Sequence, residues 1–143
     1  MIASCENIET NKKTLFQRLF AYISGQNDKN QKIDMTAPVL TEVINMGQSC
    51  QIKMRFLIPK VLQNNTPVPT GDAVLEQFPE MTVAVNQFSG LATMNDYIAH
   101  HALLVQRLGN DAVQYDTTTM LTAGYNAPYQ IINRTNEVWF RKN

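Results

Sequence analysis

The stretch Lys32-Ile33-Asp34-Met35-Thr36-Ala37-Pro38-Val39-Leu40-Thr41-Glu42-Val43 decides how the rest of the chain is read. Apolar residues alternate at both of its ends, first at Ile33 and Met35, then around Val39, Thr41 and Val43, the period of a strand with one buried face. Pro38 breaks the run, and a proline cannot donate to a sheet ladder. The expectation is one strand bent at Thr36-Ala37-Pro38, with its two limbs lying in one apolar layer. Asp34 and Glu42 on this strand are read as solvated carboxylates.

Working outward, Thr10 or Asn11 supplies an N-cap and Gly25 a stop for a first helix. Leu15, Phe16, Leu19, Phe20, Tyr22 and Ile23 cover an arc of about 160 degrees on that helix. One sheet face needs less. The excess reads either as a broad core face or as an apolar ledge, with Lys13 beside Phe20. The segment 26–31 is polar and reads as a loop. On the far side of the organising strand, 50–59 alternates through Ile52, Met54, Phe56 and Ile58. Residues 60–72 carry Pro67, Pro69 and Gly71 and read as a surface connection. A short strand is expected at 74–76 and a longer one at 81–88. A second helix over 95–108 ends at Gly109 and presents Tyr97, Ile98, His101, Leu104, Val105 and Leu108 as its stripe. His101 should therefore face the sheet. His100 points about 100 degrees away. Strands at 120–125 and 137–140 complete the chain.

Strand, helix and two strands thus occur twice, and Ala37-Pro38 has a counterpart in Ala127-Pro128. The fold class is α+β: a distorted antiparallel β-barrel of two pseudo-symmetric strand-helix-strand-strand halves, with two helices packed on the sheet. The 143 residues are expected to make one domain.

Twelve basic and twelve acidic residues cancel, so no global field favours nucleic acid or an acidic membrane. No apolar run approaches the roughly 18 residues of a spanning helix. The N-terminus reads without a signal peptide. Cys5 and Cys50 are too few for a disulfide scaffold or zinc site, so they read as small apolar strand residues of a protein in the reducing cytoplasm. The sequence holds no phosphate loop, dinucleotide glycine pattern, G-x-S-x-G or metal-spaced Cys/His set. Cys5 with a histidine would make a thiol nucleophile, but nothing in the sequence brings the two together. The expectation is a protein that is not an enzyme. Neighbouring helical residues diverge, so His100-His101 cannot clamp one metal together.

With these pieces placed, the chain resembles the SOUL haem-binding family. The residues that carry the resemblance are 19–27 (Leu-Phe-Ala-Tyr-Ile-Ser-Gly-Gln-Asn), 32–39 with its Met-Thr-Ala-Pro-Val core, Phe56-Leu57-Ile58-Pro59, Phe88-Ser89-Gly90, 123–128 and Asn136-Glu137-Val138-Trp139. They occur in the family's order. The resemblance implies a binder of haem or another tetrapyrrole, held on a hydrophobic surface beside the first helix. Through Tyr22 and Gly25 that surface falls on Lys13, Phe16, Leu19 and Phe20. A propionate would pair with Lys13 or Lys12. The metal ligand stays unassigned, with His100 the one candidate. The family also implies a strand before Ile2 that this sequence does not contain, so an open edge and a homodimer through it are expected. The competing reading is a scaffold or protein-interaction domain of the same fold that has lost haem.

Overall fold

A computed structural model describes residues 1–126 and 132–143. The Ala127-Pro128 counterpart of Ala37-Pro38 lies outside them. Six strands, β1 (Ile2–Ser4), β2 (Val39–Asn45), β3 (Ser49–Arg55), β4 (Val83–Phe88), β5 (Thr119–Gly124) and β6 (Asn136–Arg141), and two helices, α1 (Ile8–Ile23) and α2 (Met94–Leu108), are present. The strands form one antiparallel sheet in the order β1-β3-β2-β5-β6-β4. The expected barrel is not formed. β1 and β4 end the sheet instead of pairing with each other, and the two helices pack on one face of it, α1 over β2 and β3 and α2 over β4 and β6.

Strand register shows which residues share that face. Val43 lies opposite Ile52 and Met120, Thr122 opposite Val138, and Phe140 opposite Ala84. Directly opposed residues point the same way. Ile8 and Leu15 of α1 pack on Val43, Cys50 and Ile52, while Tyr97 and Leu104 of α2 pack on Val138 and Phe140. Met120 touches both clusters and joins them. Phe140, Ile52 and Val138 are fully buried, each worth about 1.5–3 kcal/mol of transfer.

The opposite face carries Leu40, Leu121 and Ala123, with Phe78 and Met81 laid across them. This covering segment includes 74–76, where a strand was expected. It makes no ladder. Glu76 instead accepts from Arg55 Nε at 2.6 Å, and Arg55 Nη1 donates to Glu42 at 2.9 Å. Glu42 is therefore a buried, paired carboxylate rather than a solvated one; Asp34 is exposed.

Only the second limb of the organising stretch is a strand. β2 begins at Val39, directly after the residue that has no N–H to give. α1 starts at Ile8, earlier than its apparent caps, because Ile8 is itself a core residue. It stops where expected, with Gly25 at φ +125°, a conformation that glycine adopts without strain. The loop that follows is held by buried Asn27, whose Nδ2 donates to the carbonyls of Tyr22 and Gln31 and whose Oδ1 accepts from the amides of Lys29 and Gln31.

The cysteines are the largest correction. Cys5 and Cys50 form a disulfide. β1 pairs with β3 so that Ala3 faces Cys50, and the 3-10 turn Cys5–Asn7 then swings Cys5 over it. Forty-five residues separate the two in sequence, so spacing carried no hint of the pairing. It removes the premise from which a reducing compartment was read, and no free cysteine remains among the described residues. No helix among those residues is long and apolar enough to cross a membrane.

Candidate functional site

α1 buries Ile8, Tyr22 and Ile23 and leaves a second apolar strip at its side. Phe16 packs edge-on against Phe56 of the segment following β3, with ring centroids 5.3 Å apart, and lies nearly parallel to Phe20 at 6.1 Å. Phe20 is 50% exposed. Leu19 is half-buried and Lys13 exposed. Helical spacing sets Lys13 within about 60 degrees of both rings. The four residues named from the sequence thus lie along one side of α1: an aromatic pair anchored at one ring, open at the other, with a cation on the same side. Arg18 lies 3.8 Å from Asp72 in an exposed pair. The three apolar residues carry no donor atom for iron. What they offer a flat ligand is an aromatic surface whose exposed part is costly to leave in water.

Lys12 is not part of this ledge. Its ammonium lies 5.2 Å from the centroid of the Tyr97 ring, between the helices, and burial pulls its pKa down against a smaller opposing effect of Glu9. Lys13 is the cation left to the ledge.

The two histidines are both engaged. His101 faces the sheet, as its place in the stripe implies, with its ring 4.7 Å from Phe140. It is half-buried, and burial lowers its pKa despite a hydrogen bond with the Thr117 backbone. His100 stacks flat on Phe88 at 3.8 Å. Arg107 Nη1 donates to Asn86 Oδ1 at 2.6 Å, which leaves Asn86 Nδ2 to donate to His100 Nδ1 at 2.8 Å. An Nδ1 that accepts leaves the proton of neutral imidazole on Nε2. His100 is thereby held in the tautomer with no free lone pair for iron. Among the described residues no group of three or more His, Cys, Asp or Glu is placed to hold a metal ion.

The motifs behind the family resemblance prove to be bonded to one another. Thr36 Oγ1 donates to the Leu57 carbonyl. Asn136 Nδ2 donates to the carbonyls of Phe88 and Gly90 at 3.4 and 2.8 Å. Glu137 accepts from Tyr125 Oη at 2.6 Å and from Trp139 Nε1 at 3.0 Å. Of these motifs, 19–27 contributes Leu19 and Phe20 to the ledge and 56–59 contributes the Phe56 that anchors Phe16, while the residues bonded here lie elsewhere.

Comparison with known proteins gives a consistent result. Residues 2–141 match the family model described as SOUL heme-binding protein. Over 132 residues the chain is 36% identical to heme-binding protein 2 of Homo sapiens, covering 89% of this chain and 64% of that protein. Over 130 residues it is 37% identical to heme-binding protein 1 of Xenopus tropicalis, covering 88% and 68% respectively. Heme-binding protein 1 of Mus musculus is 34% identical over 129 residues, 87% of this chain and 68% of the relative. The chain spans about two thirds of the length of these proteins.

Proposed function

The chain belongs to the SOUL heme-binding protein family, and from that premise we propose that it binds haem, or another tetrapyrrole, as a single domain without catalysing a reaction on it. The observation that carries the site is the half-exposed Phe20 stacked on an anchored Phe16, because a macrocycle laid there buries apolar area at both faces of the contact. Lys13 pairs with a propionate. Burial and stacking supply most of the affinity, and the donor-poor ledge with a His100 already committed to Asn86 favours binding without strong axial ligation from these residues. The compartment in which this happens must leave Cys5–Cys50 paired.

A haemin titration followed by absorbance tests the reading. Saturable binding is expected, weakened by Lys13→Ala to a degree that shrinks in high salt, since the pair is exposed. Absence of binding by the intact chain would favour the scaffold role. Binding abolished by His100→Ala and untouched at Phe16 and Phe20 would place the site on α2.

A further inference from the structure

Between the N-terminal halves of α1 and α2 the helical layer is incomplete. The gap is a cleft of about 680 Å³, within the roughly 300–1,000 Å³ typical of small-molecule sites. Val43, Cys50 and Met120, from three different strands, form its floor, and Ile8, Met94 and Ile98 line its sides. Cys5, bonded to Cys50, lines it as well. None of Lys13, Phe16, Leu19 and Phe20 lines it, so it is a different place from the ledge.

Its charge also differs from that of the ledge. Glu6 and Glu9 line the cleft, and no lysine or arginine among the described residues does so. Lys12, one turn beyond Glu9, has its ammonium over the Tyr97 ring. The first N–H groups of α2 are already used: Thr93 and Asp96 form a reciprocal cap, and Glu9 Oε1 accepts from the Met94 amide at 2.8 Å. The partial positive charge of that helix end is thus compensated before any ligand arrives. His101, on the inner wall, is biased towards its neutral form by burial.

We propose that this cleft is a second binding site, for a small lipophilic monocation whose apolar body rests on Val43, Met120 and Ile98 and whose positive centre faces Glu6 and Glu9. The same carboxylates repel the two propionates of haem. Ledge and cleft therefore sort ligands by charge, with the basic, aromatic surface for a planar dianion and the acidic cleft for a compact cation.

The test uses tetraphenylphosphonium with the intact, disulfide-bonded chain in isothermal titration calorimetry, and triphenylphosphine oxide as its uncharged counterpart. One saturable site for the cation is expected. Glu6→Gln combined with Glu9→Gln should weaken it about tenfold, as two partly solvated charges permit, with the neutral compound changed by less than about twofold on the same grounds. A glutamine at position 9 keeps an oxygen for the Met94 amide, so the helix contact survives. Ile98→Trp, at a position 53% exposed, should abolish binding by filling the cleft while circular dichroism stays unchanged. Saturating haemin should leave the cation bound. The proposal is overturned by the absence of a saturable site, by equal affinity in the double glutamine variant, or by stoichiometric displacement with haemin.

Discussion

At the scale of single residues, Phe16 and Phe20 separate binding from stability. Both rings would contact a ligand on the ledge, but Phe16 also packs on Phe56 while Phe20 is half in water. Phe20→Ala is expected to weaken haemin binding by about 1–3 kcal/mol with little change in the urea midpoint. Phe16→Ala should lose a similar amount of affinity and lower the midpoint as well. Equal midpoints would mean that the Phe16–Phe56 contact contributes nothing. Tyr125 gives a second residue-level expectation. Burial first, and then its hydrogen bond to Glu137, push its pKa from 10.0 up to about 12. A raised folded value favours the neutral phenol, so the contribution is complete below pH 10 and is lost as pH climbs towards 12. Alkaline denaturation of Tyr125→Phe should accordingly be flatter across that window than that of the native chain.

At the scale of elements, the disulfide decides how firmly the N-terminal end of α1 is attached. It joins the turn before α1 to β3 across 45 residues, and loop-closure entropy for such a span gives a stabilisation of at most about 4 kcal/mol. Cys5→Ala with Cys50→Ala, or reduction by a thiol, should lower the thermal midpoint clearly, with hydrogen exchange rising first in β1 and the first turn of α1. Uniform exchange changes throughout the sheet would contradict this local role. α2 depends less on distant help. Its reciprocal Thr93–Asp96 cap and its stripe over Val138 and Phe140 are written within or near the segment, which is why its limits differ by only one residue from those expected.

At the scale of the whole molecule, the sheet order places β2 and β5 at the centre and β1 and β4 at the edges. Each half runs strand, helix, strand, strand. We expect the halves to superpose about an axis between β2 and β5, and a superposition of α1 on α2 that leaves β2 far from β5 would contradict this. An edge strand such as β1 presents a row of backbone groups on its outer side, which proteins generally cover or pair. Self-association through the edge at β1 is the expected outcome, and sedimentation velocity over a wide concentration range checks it. A single monomer boundary throughout would rule it out.

What was determined by the sequence alone is what acts over short distances. The strands at 39–43 and 50–56, the glycine stop at Gly25 and most of the α2 stripe follow from side-chain periodicity and backbone permission, which are local properties; β2 is however buried on both faces rather than one, and Ile98 of the stripe is left exposed. The excess apolar arc of α1, with Lys13 beside it, was also legible, because helix geometry converts spacing directly into angle. Tertiary structure alone decided the rest. The register of β1 on β3 brought Cys5 to Cys50, the layering of 73–82 buried Glu42 with Arg55, and the Asn86–Arg107 contact set the His100 tautomer. Whether the sheet closed or stayed open, and whether a cleft remained between the helices, depended on how two packed layers met. Each of these joins residues far apart in sequence, where periodicity carries no information about who will be whose neighbour.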